Sequence, residues 1–264
     1  MKNISGLPVH RFDAGTMELH AETLASECLI HIQVNKKHVT SLLASPENLH
    51  DLVAGHLRVE YEVPCPQGGH DLHISSSEEE FTVDVNIDGE FDAPSRATIV
   101  TTSCGGCEQD RLSALVEQTP SISCSLPASP IEPLIEALHS MRSKQPGFEQ
   151  TGGMHAAGLF FGADEPLVVR EDIGRHNAVD KVLGAFLTSN TQTVPHGLLL
   201  SGRCGWDIVS KAARMNIPII ASIGAASSLA AKTARSSDIT LVSFAKNDRA
   251  VVIGRIEGRI QRNH

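Results

Sequence analysis

Cys104-Gly105-Gly106-Cys107 is the one closely spaced thiol pair in the chain; Cys28, Cys65, Cys124 and Cys204 are scattered singly. Two glycines between the thiols permit backbone conformations that bulkier residues would restrict, as a loop presenting sulfur requires. Four readings compete. A four-cysteine zinc knuckle needs two more ligands, which single, scattered cysteines supply poorly. A thioredoxin-like dithiol sits between a strand and a helix of its own βαβ unit, whereas this pair lies on a connector between two differently patterned segments. In sulfur transfer, one thiolate attacks a donor persulfide, carries the outer sulfur, and the loop presents it to an acceptor. The fourth reading is a glycine turn whose cysteines are incidental, and the spacing alone does not exclude it.

The densest polar constellation is Arg170-Glu171-Asp172-Ile173-Gly174-Arg175-His176-Asn177, continuing through Asp180 and Lys181. With a helix beginning near Arg175, the pairs His176/Asp180 and Asn177/Lys181 are i,i+4 neighbours, and Val179, Val182, Leu183, Phe186 and Leu187 form the buried stripe. The bland account makes Asp172 an N-terminal cap and Asp180 and Lys181 surface ion-pair partners. Arg175 and His176 are different, because a cation at a helix N-terminus opposes the helix dipole unless an anion is also bound. Arg203, in Ser201-Gly202-Arg203, repeats the arrangement at the next strand-to-helix junction, and phosphate or pyrophosphate suits two such arginines. His155, in Thr151-Gly152-Gly153-Met154-His155, could orient or protonate a sulfur or phosphate group; the alternative is an ordinary structural histidine. Phe244-Ala245-Lys246-Asn247-Asp248-Arg249 adds two cations after the last strong strand, either as a grip on an elongated nucleotide or as a solvated hairpin turn.

The elements that must position these groups fall into two patterns. Residues 27–43 read as two strands turning at Asn35-Lys36-Lys37. Ser45 and Pro46 then predict the cap and first turn of a helix over about 46–60. Residues 71–75 and 81–87 alternate up to an Asp88-Gly89 turn. Residues 1–127 are expected to form a small α+β domain that ends in the CxxC segment. In 128–264, Ser129 and Glu132 suggest a capping box on a helix that Pro146-Gly147 stops. Strands at 157–162, 166–170, 197–201, 217–223 and 239–244 then alternate with helices at about 175–189, 206–215 and 227–236. This order predicts an α/β fold with a mostly parallel sheet covered on both faces, whose ligands bind beyond the carboxyl ends of its strands.

At 264 residues with 41% hydrophobic and 20% charged, the chain can bury a core, and a formal charge of -9 argues against wrapping nucleic acid. No apolar run is long enough for a membrane span and the N-terminal residues lack a secretory h-region, so a cytoplasmic protein with no membrane partner is expected.

Taken together, TTSCGGC, TGGMHAAG, REDIGRHNAVDKVLG, SGR and KAARMNIPIIASIGAASSLAAKTA resemble the formate dehydrogenase accessory sulfurtransferase family, FdhD, over nearly the full chain. The resemblance implies a sulfurtransferase that takes persulfide sulfur from a cysteine desulfurase and passes it to a molybdenum bis-guanine-dinucleotide cofactor, which formate dehydrogenase requires in sulfurated form. It makes Cys104 the persulfide carrier, with Cys107 assisting. Phe244 to Arg249 becomes the cofactor-contacting segment, beside His155, Asp172, Arg175, His176 and Arg203. It also implies a homodimer, a second domain with the three-layer cytidine deaminase-like fold, and no protein-ligated metal. Three positions depart from the family: Glu108 follows the second cysteine in place of glycine, Ala226-Ser227-Ser228 replaces Pro-Thr-Ser, and Cys204 replaces a serine after SGR. None is read as abolishing activity. The fold also raises zinc deaminase as an alternative, but His176-Asn177-Ala178 lacks the H-x-E glutamate and Asp207 stands where a second cysteine ligand belongs. A chaperone that only binds the nucleotide ends of the cofactor is the third reading.

Overall fold

The computed structural model describes residues 4–66, 68–69, 71–91, 109–124, 126–165, 167–189, 191 and 193–261; Cys104 and Cys107 lie outside them. The chain opens with a hairpin that the sequence reading did not anticipate, β1 (Ile4–Asp13) paired antiparallel with β2 (Thr16–Ala25). Phe12, Met17 and Leu19 on it are exposed, so its alternation marks no core face.

The next four strands, β3 (Cys28–Val34), β4 (Lys37–Ala44), β5 (Asp71–Ser77) and β6 (Glu80–Asn86), form a sheet in the order β4-β3-β6-β5. The expected turn lies at Asn35 and Lys36, both with positive φ. Ile30, Ile32, Val34, Phe81, Val83 and Val85 recur at the two-residue period of a strand and pack against Leu52, Val53 and Leu57 of helix α1 (Leu49–Tyr61). This helix begins at Leu49, not Pro46, and Ser45 is not its cap. Ser45 is drawn instead to Asp172, 127 residues away in sequence, through its backbone N–H.

Between the two sheets lie α2 (Gln109–Glu117), α3 (Ile131–Ser140), a 3-10 turn (Met141–Lys144) and α4 (Pro146–Thr151). The Ser129/Glu132 capping box does not form: Pro130 holds the cap position without a side-chain bond. Ser129 instead pairs its backbone with Arg259 and Gln261. Pro146 starts a helix rather than stopping one, since its missing N–H costs nothing at a first helical position.

The larger sheet contains β7 (His155–Phe160), β8 (Val168–Asp172), β9 (Gly197–Leu200), β10 (Ile219–Ser222), β11 (Thr240–Lys246) and β12 (Arg249–Gly254), in the order β12-β11-β10-β9-β7-β8. It is mixed rather than mostly parallel: β9-β10 and β10-β11 are parallel, while β7-β8, β7-β9 and β11-β12 are antiparallel. Short turns join β7 to β8 and β11 to β12, and a short turn can only reverse the chain. The parallel strands are linked through α5 (Arg175–Thr188), α6 (Trp206–Arg214) and α7 (Ser228–Ser236). Leu198, Leu200, Ile220 and Leu241 face these three helices, whereas Leu199, Ile219, Ala221 and Val242 face α3 on the other side, so both faces are covered as expected. Among the described residues no helix is long and apolar enough to cross a membrane.

Helix α1 crosses α5 where each presents a glycine. A Cβ on Gly55 would lie 1.9 Å from the Asp180 carbonyl oxygen, and one on Gly184 1.8 Å from that of Asp51. Only glycine admits this backbone approach, which joins the two sheets behind the N-terminal half of α5.

Candidate functional site: a cationic crevice at the strand ends

The carboxyl ends of β8, β9, β10 and β11 share one edge of the larger sheet with the amino end of β7. The loops there are laced by backbone bonds: Gly224 N–H donates to Gly202 O (3.2 Å) and Phe244 N–H to Gly224 O (3.0 Å). Gly224 has no room for a side chain, since a Cβ would sit 2.9 Å from Gly202 O. Phe244 is 52% exposed and holds a φ of 50° beside a register shift in β11. A bulky residue in the left-handed region is an outlier that the surrounding structure must enforce.

His155, Arg175, His176 and Arg203 gather at this edge. Burial, then the positive charges of Arg175, His176 and Arg203, hold the His155 imidazole below its ordinary pKa, with Asp172 opposing them. Helix α5 starts at Arg175 behind Gly174, with no side chain capping it, and the buried Nε of Arg175 has no hydrogen-bond partner among the described residues. Groups from the two loops are therefore close enough to act on one imidazole. A guanidinium N–H without a partner among the described residues, beside a helix N-terminus with no side-chain cap, suits an anionic acceptor.

Asp207, in the first turn of α6, pairs with His176 Nε2. Burial would raise the Asp207 pKa, but His176, Lys211 and Arg175 outweigh it and hold the carboxyl below its usual range. Sequence reasoning noticed Asp207 only as a missing cysteine. Its i,i+4 spacing to Lys211 on α6 was the available signal.

Most of the polar motif around α5 does a different job. Glu171 accepts from the backbone N–H of Gly147 and Phe148 (2.8 Å each), securing the start of α4. Asp172 and Lys181 are both 0% exposed and pair at 2.7 Å. The Asp172 carboxylate also accepts from Ser45 N–H (3.0 Å), Gly174 N–H (2.8 Å) and Asn177 Nδ2 (3.1 Å). Lys181 Nζ also donates to Ser45 O at 3.0 Å, and Asn177 Nδ2 to Leu43 O at 2.7 Å. Asp180, read as a surface partner, is buried between His56 (2.9 Å) and Lys211, and Lys211 reaches Glu60 at 3.0 Å. The i,i+4 neighbours are therefore not surface ion pairs. Asp172, Asn177, Asp180 and Lys181 clamp the end of β4 and α1 onto α5.

Of the C-terminal segment, Ala245 is buried in the core, while Lys246, Asn247, Asp248 and Arg249 are exposed where β11 turns into β12. The Cys204 thiol is buried, and its pKa is pushed up to about 12 by burial and then by Asp207. Cys204 thus stays a thiol, and at about pH 8 it should resist alkylation in the native protein and react only on unfolding. Mass spectrometry after timed iodoacetamide treatment checks this. Among the described residues no group of three or more His, Cys, Asp or Glu side chains is placed to hold a metal ion.

These features define a mixed α/β protein with a cluster of basic side chains at the carboxyl ends of its central strands. Residues 25–260 match the FdhD/NarQ family. The chain is 33% identical over 262 residues to a sulfur carrier protein FdhD of Listeria monocytogenes, with 97% of this chain and 99% of that protein covered. It is likewise 33% identical to a sulfur carrier protein FdhD of Mycolicibacterium paratuberculosis, covering 94% and 96%. A crystal structure described as a formate dehydrogenase accessory protein from Desulfotalea psychrophila superposes with a TM-score of 0.74 at 23% identity, over 98% of this chain and all of that one, and so shares the fold. The chain belongs to the FdhD/NarQ family.

Proposed function

We propose that this protein is a sulfurtransferase: it takes sulfane sulfur from a cysteine desulfurase onto Cys104 and delivers it to a molybdenum bis-guanine-dinucleotide cofactor, bound as cargo, for formate dehydrogenase. In loading, the Cys104 thiolate attacks the outer sulfur of the donor persulfide. A Cys104 S–S bond forms, the donor S–S bond breaks, and the donor cysteine leaves as a thiolate, so no external oxidant is consumed. Cys107 assists or relays. The family relatives, named as sulfur carriers, support the chemistry.

The observation that supports the cargo assignment is the clustering of Arg175 and His176, at a helix N-terminus without a side-chain cap, with His155 and Arg203 in a chain of net charge -9. Local geometry rather than total charge sets phosphate recognition. Cys107 precedes the first residue of α2 by two positions in sequence. The Trp206 indole N–H, at the start of α6, donates to Leu115 O of α2 at 3.3 Å, which ties the helix after the thiols to a helix bordering the crevice. Phe244 and the Lys246–Arg249 turn are assigned to the far end of the nucleotide. Asp172, with both oxygens engaged internally, acts by holding the Gly174–Asn177 backbone rather than by touching cargo. The reading includes a homodimer, a cytoplasmic setting, and a division at residues 127 and 128 before a cytidine deaminase-like unit.

Calorimetry with GDP and ADP tests the crevice. GDP is expected to bind, and Arg203→Ala to weaken it about tenfold or more, the worth of one charge-assisted hydrogen bond. Equal GDP affinity in Arg203→Ala would move the cargo site elsewhere.

A further inference from the structure

His155 stands at the amino end of β7, opposite Asp172 in the β7-β8 register, and a Cβ on Gly202 would lie 3.2 Å from its Nδ1. Its ring is half-buried and no described residue hydrogen-bonds to it. Among the described residues, four charged neighbours act on it. Arg175 and His176 come from α5, Arg203 from the loop after β9, and Asp172 from the end of β8. Asp172 is neutralised by Lys181, and the nearby Asp207 of α6 by His176. The ring therefore stands where a further positive charge is opposed, and a multiply charged anion seated among these basic groups would reverse that field.

We propose that His155 is a specificity-determining residue that reads the charge of the ligand: neutral without ligand, it takes a proton from solvent when a phosphate of charge two or more binds beside it, and so becomes an additional cationic donor that a monoanion does not recruit. This rests on the phosphate-binding reading of the crevice and adds to it a mechanism of selection. The direction of the His155 pKa agrees, since burial first, and then Arg175, His176 and Arg203, hold its imidazole below the ordinary histidine value. A ligand that brings a proton with it binds more tightly as the pH falls through the histidine range, by at most about tenfold per pH unit for one proton.

The test follows the His155 Cε1–H resonance by NMR in the full-length protein, titrating pH with no ligand, with saturating inorganic pyrophosphate, and with dimethyl phosphate, a monoanion. Its assignment comes from the signal missing in His155→Asn. Pyrophosphate is expected to move the His155 midpoint upward and dimethyl phosphate to leave it in place. In calorimetry, His155→Asn should lose most of the pH dependence of pyrophosphate affinity and bind about tenfold to a hundredfold more weakly at mildly acidic pH, the loss of a charge-assisted bond. Equal midpoint shifts with both ligands would overturn the charge-reading role. Pyrophosphate binding with an unmoved midpoint would overturn the proton linkage while leaving the crevice intact. Absence of pyrophosphate binding would overturn the crevice reading and the linkage with it. The wild-type titrations decide the matter even if the variant folds poorly.

Discussion

Cys104→Ala is expected to leave a folded protein that still binds GDP but no longer activates formate dehydrogenase, a loss to background rather than a partial decline. The reason is chemical: a methyl group cannot form a persulfide, and the thiolate is the species that attacks the donor. Cys28, Cys65 and Cys124 are the controls, since single alanine substitutions there should retain activation. Cys28 and Cys65 have thiol pKa values raised by burial, which lowers their nucleophilic fraction at neutral pH. Formate-dependent dye reduction in a strain lacking its own copy reads the result. Activation by Cys104→Ala at the wild-type level would remove Cys104 from the carrier role.

The second large effect is on stability. Lys181→Met leaves the Asp172 carboxylate fully buried without its cation, and breaking one side of a buried pair typically costs about 3–5 kcal/mol. Lys181 also holds the Ser45 carbonyl, so the end of β4 should loosen from α5 together with the ion pair. Adding Asp172→Asn to Lys181→Met should recover part of the loss, because the buried charge is then gone. Urea unfolding followed by circular dichroism measures both. A loss below about 1 kcal/mol in Lys181→Met would mean that the pair is solvated rather than part of the clamp.

Those residues also show where sequence was sufficient and where it failed. The strands and helices after residue 155 were legible because their apolar periods are long and separated by glycine and polar turns. Strands β8 to β11 and helices α5 to α7 lie within a few residues of where periodicity put them. Arg175, His176 and Arg203 were legible together for a topological reason: strand-to-helix junctions in such a sheet share one edge, whereas His155, at the amino end of β7, was legible only as a separate candidate. What failed depended on distant partners. Ser45 carries the local signature of a helix cap, but Asp172 and Lys181 recruit its backbone, and nothing near residue 45 reveals them. Asp180 and Lys181 sit at spacings that surface pairs also use, and only the α1-α5 glycine crossing makes them interior. The β1-β2 hairpin was missed because both its faces are largely exposed, and β12 because its short strand follows a turn that had been read for cations. The sheet was expected to be mostly parallel because the alternation of strands and helices was weighted above the two hairpins, which together with β7-β9 make three of its five pairings antiparallel.

The central claim is that sulfur travels on the Cys104-Gly105-Gly106-Cys107 segment. The most direct measurement is the intact mass of the protein after incubation with a cysteine desulfurase and cysteine, followed by peptide mapping without reductant. The account predicts a gain of about 32 Da per sulfur atom, carried on the peptide that contains Cys104 and Cys107, lost in Cys104→Ala and reversed by dithiothreitol. No gain in mass, or a gain confined to Cys28, Cys65, Cys124 or Cys204, would contradict it.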